Sequence, residues 1–356
     1  MYRSLSFRRF FYLTGKFLSC RIKIRLCALG AKEKLRFPGR YDKNDTGGLD
    51  MEKEEEALRR LFADCTLCPR SCHVNRLAGQ TGYCGQGAQV RAARAALHYW
   101  EEPCISGKRG SGAVFFSGCS LHCVFCQNRE ISDGKAGKLI SKERLSDIFM
   151  ELADKGANNI NLVTPGQYIP DIVWAVNDAK SRGMKLPIIY NTSGYENVTE
   201  LKLLEGIVDV YLPDFKYMDS TLSARYSRAK DYPSVAKQAL SEMVRQQPDV
   251  VIDDATGLIQ KGVIVRQLLL PGHVNDAKDV LKYLYDTYHD HVYISMMSQF
   301  TPIALKDYPE INRTVTRREY ERLVDYALEI GITNAFIQEG DVAKDSFIPA
   351  FDCEGV

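Results

Sequence analysis

The stretch GAVFFSGCSLHCVFC at residues 112–126 decides the fold of this chain. Its first half is a short apolar run that ends at Gly118, the pattern of a buried β-strand entering a tight loop. Its second half places Cys119, Cys123 and Cys126 four and three positions apart. The stretch therefore predicts a strand whose carboxyl end carries three thiols.

From Gly112 onward, β-rich runs alternate with amphipathic helical patterns, as in a parallel sheet wrapped by helices. The predicted strands are Ala113–Ser117, Asn159–Val163, Pro187–Asn191, Val208–Pro213, Val263–Leu270 and Val292–Met297, with a seventh at Asn334–Ile337. The predicted helices are Lys142–Lys155, Ile169–Arg182, Thr199–Glu205, Tyr232–Gln246, Asn275–Tyr288 and Arg317–Ile330. This order predicts an α/β fold, either a partial (β/α)6 TIM-type barrel or a doubly wound sheet. In both, the loops at the carboxyl ends of the strands form the active face.

Three thiols on one short loop suit an iron–sulfur cluster, because thiolates are the soft anionic ligands that such clusters need. An electron-transfer cluster normally takes four cysteines, whereas three leave one iron of a [4Fe–4S] cluster open to another molecule. His122 is a candidate fourth ligand, but it adjoins Cys123 and we expect it to point away. A zinc knuckle or a group of buried thiols is the alternative interpretation.

The spacing Cys119–Cys126, with Phe125 before the last cysteine, resembles the signature of the radical S-adenosylmethionine (SAM) superfamily. The string Phe125-Cys-Gln-Asn128 resembles its pyruvate formate-lyase activating enzyme-like branch. The resemblance implies a partial barrel of the radical SAM type, with a [4Fe–4S] cluster on Cys119, Cys123 and Cys126 and with SAM bound to the open iron. It also implies an enzyme that cleaves SAM reductively to a 5′-deoxyadenosyl radical, which abstracts hydrogen from a substrate. It implies no catalytic residue beyond the cluster ligands.

The resemblance extends, with decreasing specificity, to the loops after later strands. It implies cofactor contacts for Phe125, Gly166, Asn191, Ser193 and Arg266. Members often carry Gly-Gly-Glu after the second strand, whereas here Gln167 replaces the acid, so backbone carbonyls are the expected acceptors. Arg266 lies inside an apolar strand and needs a partner, for which a SAM carboxylate or Asp214 would serve.

Four further cysteines, Cys65, Cys68, Cys72 and Cys84, lie within twenty residues. Four thiols would saturate a second metal centre, either a tetrahedral zinc ion or an auxiliary [4Fe–4S] cluster. The first pair has the spacing usual for zinc, but the gap between Cys72 and Cys84 is atypical. A set of reduced, buried thiols is the alternative.

The chain divides into four predicted parts. They are a basic N-terminal extension that we expect to be disordered (1–50), a helix with a Cys-rich metal-binding segment (51–111), the partial barrel (112–340) and a C-terminal tail (341–356). Residues 1–44 hold twelve Lys or Arg against two acids, so they carry +10, and the rest of the chain carries −8 of the total +2. This start is typical of an organelle transit peptide or of a basic interaction arm, and an extension with no part in the fold is the alternative.

Composition favours a reducing compartment and excludes some partners. Seven of the eleven cysteines fall in two tight groups, which suit shared metal coordination better than separate disulfides. No run approaches eighteen apolar residues, so we expect no membrane contact. The acidic balance of the main part gives no reason to expect nucleic acid. We therefore predict a cytoplasmic protein, with organelle targeting as the alternative.

Three functional hypotheses follow. The first is an activating enzyme that takes hydrogen from a glycine of a glycyl radical enzyme and receives its electron from flavodoxin or ferredoxin. The second keeps this chemistry but acts on a small molecule or another macromolecule. The third belongs to a different class, a non-catalytic zinc protein that binds a partner or nucleic acid through residues 65–84. A fold alone does not choose among them.

Overall fold

A parallel β-sheet forms the centre of the protein in the computed structural model, which describes residues 10–13, 56, 58–303, 305–338 and 349–356. The strands are β1 Phe10–Leu13, β2 Val90–His98, β3 Ser111–Phe116, β4 Lys138–Ile140, β5 Ile160–Val163, β6 Ile188–Thr192, β7 Val210–Pro213, β8 Val251–Ile252, β9 Ile259–Leu268, β10 Tyr293–Met297 and β11 Ala335–Gln338. All seven predicted strands are present, with bounds that differ from the prediction by a few residues. β2, β4 and β8, which pair antiparallel, had no clear sequence signal.

The order of the parallel strands distinguishes the two predicted architectures. Along the sheet the strands run β3-β5-β6-β7-β9-β10-β11, so chain order and spatial order agree. A doubly wound sheet would instead reverse its order at a switch point. The fold is therefore an open, partly barrel-like parallel sheet, which confirms the predicted partial barrel.

The two faces of the sheet bury different clusters of side chains. In β9, Val263 and Val265 belong to the large core under the helices, whereas Ile264 belongs to a smaller cluster on the opposite face. Cys104 and Ile105, from a short helix before β3, join that smaller cluster. Strands buried on both faces are expected when helices cover one side and the inside of a barrel forms the other.

The helices after β3 pack around the sheet, whereas the short helix before β3 packs against the smaller cluster. The helices are α1 Pro103–Ser106, α2 Arg129–Ser132, α3 Lys142–Asp154, α4 Ile169–Ser181, α5 Val198–Leu201, α6 Ser220–Ser227, α7 Tyr232–Gln246, α8 Val274–Tyr288 and α9 Arg317–Glu329. In α3, Leu145, Ile148 and Leu152 are buried, as the helical spacing of these apolar residues requires. Ser141 caps this helix by accepting a hydrogen bond from the Arg144 backbone N–H.

The N-terminal and C-terminal parts pack beside the barrel through β2. The Cys353 N–H donates to the Ala93 carbonyl over 2.9 Å, and the Ala95 N–H donates to the Glu354 carbonyl over 2.8 Å. Of the predicted N-terminal extension, the structure describes only Phe10–Leu13, whose backbone pairs with β11, and the rest of that prediction lies outside the described residues. Within the described ranges, the helices are too short or too polar to cross a membrane.

Candidate active site

The three-cysteine loop, residues 119–126, follows β3 at the carboxyl edge of the sheet. It starts from Gly118, whose φ of +90° lies in the left-handed region. A Cβ on Gly118 would lie 2.5 Å from Gln86 Cγ and 2.8 Å from the Cys84 carbonyl oxygen. Glycine is therefore required here by its backbone conformation and by the close approach of the N-terminal segment.

Two hydrogen bonds point at the sulfurs of this loop. The Leu121 backbone N–H donates to Cys119 Sγ over 3.4 Å, and the Ser227 hydroxyl donates to Cys123 Sγ over 3.0 Å. The Tyr217 hydroxyl lies 2.8 Å from Ser227 Oγ and can donate to it, which leaves the Ser227 proton for the sulfur. Such donors stabilise thiolate sulfur and tune iron–sulfur clusters.

Lys216 supplies positive charge behind the three-cysteine loop. Burial raises the pKa of Cys123 to about 11 and that of Cys126 to about 12, and the Lys216 ammonium opposes both shifts. Burial would lower the pKa of Lys216, but Asp214 and Cys123 raise it, and Asp214 Oδ2 lies 2.5 Å from Lys216 Nζ. Lys216 is therefore a charged group in a buried setting, next to thiols that would become anionic on binding a metal.

His122 is directed away from the three thiols, as expected. Its Nε2 lies 3.1 Å from the Tyr83 carbonyl oxygen, and its ring packs edge-on against the Tyr83 ring with 5.0 Å between centroids. The other ring nitrogen lies 3.8 Å from Asp133. The loop thus presents three thiols and no imidazole.

The contacts of Gln167 explain why this position is not an acid. Its side-chain amide donates to the carbonyl oxygens of Ser117, Gly118 and Thr164 over 3.0, 3.1 and 2.9 Å. A carboxylate has no proton to donate, so an ionised acid would leave these carbonyls without that partner. Gln167 therefore ties the loop after β5 to the start of the three-cysteine loop.

A cavity lies where the loops after β3, β5 and β6 meet the N-terminal segment. Its lining includes Ser120, Gly166 and Ser193, but not Asn191, which lies within β6. A Cβ on Gly166 would lie 2.8 Å from Glu196 Oε2. The structure thus brings together two of the expected cofactor contacts beside the residue that follows Cys119.

These strand-end features can be compared with known families. Residues 113–261 match the family model described as the Radical SAM superfamily. This part of the chain is thus similar to a radical SAM domain. The match begins in β3, contains the three-cysteine loop and ends in β9. This family implies a [4Fe–4S] cluster and SAM as cofactors.

Similar proteins include an uncharacterized protein, MJ0674, of Methanocaldococcus jannaschii. It is 27% identical over 285 residues, which are 78% of each chain. Among solved structures, methylornithine synthase (PylB) aligns at 13% identity and a TM-score of 0.44, over 86% of this chain and 85% of that one. SuiB of Streptococcus suis, bound to S-adenosylmethionine, aligns at 12% identity and a TM-score of 0.42, over 62% of this chain and 48% of that one. The chain thus spans about half the length of SuiB.

The donor set of the three-cysteine loop fits the cluster that the family implies. Three thiols of one loop, two hydrogen bonds to sulfur and a buried ammonium are suited to an anionic cluster. Thiols of one short loop can each bind a separate iron of such a cluster.

Phe125 and Gln127 attach the three-cysteine loop to the far side of the sheet. Phe125 is buried and packs against Phe300, with 5.7 Å between ring centroids. The Gln127 amide donates to the Gln299 carbonyl over 2.9 Å. Phe125 is therefore a packing residue in this structure, and its expected cofactor contact stays a prediction.

Arg266 has different partners from those expected. Its guanidinium binds the Glu102 carboxylate through Nε at 2.9 Å and through Nη2 at 2.6 Å, and it also binds Glu101. Burial would raise the pKa of Glu102, but the charge and hydrogen bonds of Arg266 hold it below its ordinary value. The guanidinium is therefore already neutralised within the chain, and we do not propose Arg266 as a SAM ligand. Asp214, the other expected partner, meets Arg266 through a backbone bridge.

The second group of cysteines lines the same cavity as Gly166 and Ser193. Cys65, Cys68, Cys72 and Cys84 all contribute to it, together with Arg76 and Glu196. Burial raises the pKa of Glu196 to about 7. Sequence reasoning missed Ser227 and Glu196, because each reaches the site from a segment distant from the cysteines, and it missed Arg76, because no local pattern shows that this side chain is buried.

Proposed function

We propose that this chain is a radical SAM enzyme in which Cys119, Cys123 and Cys126 bind three irons of a [4Fe–4S] cluster. The fourth iron is then left for SAM. The observation that carries this proposal is that the loop presents three thiols while His122 turns to Tyr83. When bound, the cluster supplies the electron that cleaves SAM to a 5′-deoxyadenosyl radical, which takes a hydrogen atom from the substrate.

The chain's own residues hold and shield the charge of this site. Ser227 and the Leu121 N–H donate to the sulfurs, and Lys216 places a positive charge behind them. Gln167 fixes the position of Gly118 at the start of the loop. Phe125, Gly166, Asn191 and Ser193 are proposed cofactor contacts, with backbone groups as the expected donors and acceptors after β5.

The test is SAM cleavage by protein purified and reconstituted without oxygen. After reduction with dithionite in the presence of SAM, we expect 5′-deoxyadenosine and methionine by chromatography. Substitution of Cys119, Cys123 or Cys126 by Ala should abolish the product, because each removes one of three cluster ligands.

The matched control is Cys353→Ala, which removes a half-buried thiol of the C-terminal segment beside β2 that belongs to neither cysteine group. This variant should form the product at the rate of the unsubstituted protein. Product formation by Cys119→Ala would overturn the proposed set of cluster ligands. Zinc without iron in the unsubstituted protein would overturn the proposal and favour the non-catalytic zinc protein.

We further propose that the substrate is a glycine of a glycyl radical enzyme and that flavodoxin or ferredoxin is the reductant. The support is the resemblance of Phe125-Cys-Gln-Asn128 to activating enzymes. A candidate glycyl radical enzyme incubated with the reduced protein and SAM should be cut at one glycine on exposure to air, as seen by mass spectrometry. SAM cleavage with no such cut in any candidate would favour a small-molecule substrate.

Two further proposals concern the second metal centre and the location of the protein. Four thiols on one cavity support a second metal centre at Cys65, Cys68, Cys72 and Cys84. The nine cysteines of the described ranges are all free thiols, which supports a reducing compartment such as the cytoplasm. Immunofluorescence of the full chain in its own cells would test the location.

A further inference from the structure

The cavity shared by the four cysteines contains a buried positive charge with no negative partner. Arg76 is 2% exposed. Its guanidinium donates to the Gly87 carbonyl over 3.0 and 2.5 Å and to the Gln167 carbonyl over 2.7 Å, and it lies 3.9 Å from Cys65 Sγ. It also packs over the Phe62 ring at 4.6 Å. Among the described residues, no carboxylate forms an ion pair with it.

An unpaired buried charge is costly, because the interior replaces water poorly as a solvent for ions. Carbonyl dipoles satisfy the N–H groups of Arg76 but do not cancel its net charge. The neighbouring groups that can become anionic are Glu196, which lines the same cavity but forms no ion pair with Arg76, and the four thiols. Deprotonation of the thiols on metal binding would supply the charge that Arg76 lacks.

The backbone of Gly82 and Tyr83 lies close to the sulfur of Cys72. The Tyr83 N–H donates to Cys72 Sγ over 3.2 Å. A Cβ on Gly82 would lie 2.8 Å from the same sulfur, so only glycine lets the chain pass this close. Ser71 and His73, on either side of Cys72, have φ values of 41° and 53°. Non-glycine residues in this left-handed region of φ cost conformational energy, and such strained backbone is typical of ligand-binding sites.

The four-cysteine segment is attached to the three-cysteine loop. Arg70 Nε donates to the Ser120 carbonyl over 2.8 Å, and its guanidinium packs over the Tyr83 ring at 4.1 Å. Tyr83 also holds His122. Arg70 and Tyr83 therefore join the two cysteine groups.

We propose that Cys65, Cys68, Cys72 and Cys84 bind an auxiliary [4Fe–4S] cluster and that Arg76 is its buried counter-charge. This deepens the proposed second metal centre. Four thiols around one cavity suit a cubane with one ligand on each iron, and the gap between Cys72 and Cys84 is atypical of a zinc site. All four irons are then ligated by the protein, so this cluster binds no SAM.

The test measures metal content in the full chain reconstituted without oxygen. We expect about eight irons and about eight sulfides per chain in the unsubstituted protein, which corresponds to two [4Fe–4S] clusters. The triple variant Cys119→Ala/Cys123→Ala/Cys126→Ala should keep about half of each. Its reduced electron paramagnetic resonance spectrum should not change when SAM is added, because no iron of the remaining cluster is open.

The converse variant is Cys65→Ala/Cys68→Ala, which should also keep about half of the iron and should retain a spectrum that SAM alters. Cys353→Ala is the control and should keep the full iron content. If Cys65→Ala/Cys68→Ala fails to fold, as judged by circular dichroism, the triple variant still decides, because its four-cysteine segment is intact.

Zinc in place of iron in the triple variant, or no metal at all, would overturn this proposal. These results are separate from failure of the proposed function. A protein that keeps iron in the triple variant but never cleaves SAM would refute the proposed function and leave the auxiliary cluster standing.

Discussion

Two buried arginines of this protein are neutralised in different ways. Arg266, inside the barrel, has Glu101 and Glu102 as partners, and all three side chains are largely buried. Arg76, in the four-cysteine segment, has carbonyl oxygens and one thiol. The first charge is balanced by the chain itself, whereas the second is balanced only when something anionic binds.

This difference separates a structural ion pair from a binding site. The network of Arg266 is complete on folding, so its contribution to stability should not depend on metal. The surroundings of Arg76 are incomplete without a ligand, so its contribution should depend on metal strongly. Burial of an arginine alone therefore does not tell a structural ion pair from a binding site. The partners of the guanidinium do.

The largest effect is expected for Glu102→Gln. This change leaves the Glu101 carboxylate on Arg266 but replaces the two charged hydrogen bonds from Arg266 to Glu102 by at most one neutral one, because an amide nitrogen cannot accept. Hydrogen bonds to charged groups contribute about 1.5–3 kcal/mol each, so the loss in the barrel interior should be about 3–5 kcal/mol. We expect that loss in the free energy of unfolding, measured with urea, and we expect it to be equal in metal-loaded and metal-free protein. The control Glu329→Gln, on an exposed position of α9, should change stability by less than about 0.5 kcal/mol. A loss seen only in metal-loaded protein would remove the contrast between the two arginines.

A metal-dependent effect is expected for Arg76→Met. The carbonyls of Gly87 and Gln167 lose a donor in both states, so that cost cancels when the two states are compared. The difference between the two states is then the attraction between the guanidinium and the anionic cluster. This attraction is about 2–4 kcal/mol for charges near 4 Å apart at an effective dielectric constant near 20. We therefore expect a larger loss of stability, by this amount, in reconstituted than in metal-free protein.

The conservative variant Arg76→Lys keeps the charge and serves as the control. It should recover part of the metal-dependent stability, because an ammonium attracts the cluster but lacks the planar set of donors. Equal losses for Arg76→Met with and without metal would mean that Arg76 serves packing alone.

The contrast between the two arginines also shows which features can be predicted from the sequence. Local patterns predicted the parallel strands, because apolar runs and helical spacing are properties of neighbouring residues. The partners of Arg266 lie 164 and 165 residues away in the chain, at the entrance to α1. No local pattern shows that this short helix packs inside the sheet, so the sequence favours a SAM carboxylate and an internal carboxylate equally.

The candidate site divides in the same way. The three-cysteine loop was recognisable because its ligands lie within eight residues of each other. The role of Gln167 was not, because its three acceptors are carbonyls brought together only by the fold. The sequence showed the missing acid as a departure, and the structure gives the physical reason for it.

The smallest loss of stability is expected for the partly exposed pair of Glu319 and Arg313, which lies at the surface and not in the interior. Glu319 caps α9, accepts hydrogen bonds from Arg313 Nη2 and from the Gly272 N–H, each over 2.7 Å, and completes a capping box with Thr316. Hydrogen bonds from Arg313 hold its pKa well below the ordinary value, although burial opposes this. Because Arg313 is half-exposed and screened by water, we expect Glu319→Gln to cost only about 1 kcal/mol at pH 7.

The pH dependence of the stability lost in Glu319→Gln tests whether Glu319 stabilises the protein through its charge. A carboxyl whose pKa is lowered by folding stabilises the protein above its unfolded pKa of about 4.3, and this contribution is lost as the pH falls towards the folded value. The stability difference between the two proteins, measured with urea, should therefore be full at pH 7 and should shrink below about pH 4. The control Glu321→Gln, in an exposed pair with Arg317, should show little difference at either pH. A stability difference for Glu319→Gln that is constant with pH would show that the cost comes from lost packing and not from lost charge. The pair of Glu319 and Arg313 would then not be comparable with the ion pairs of Arg266.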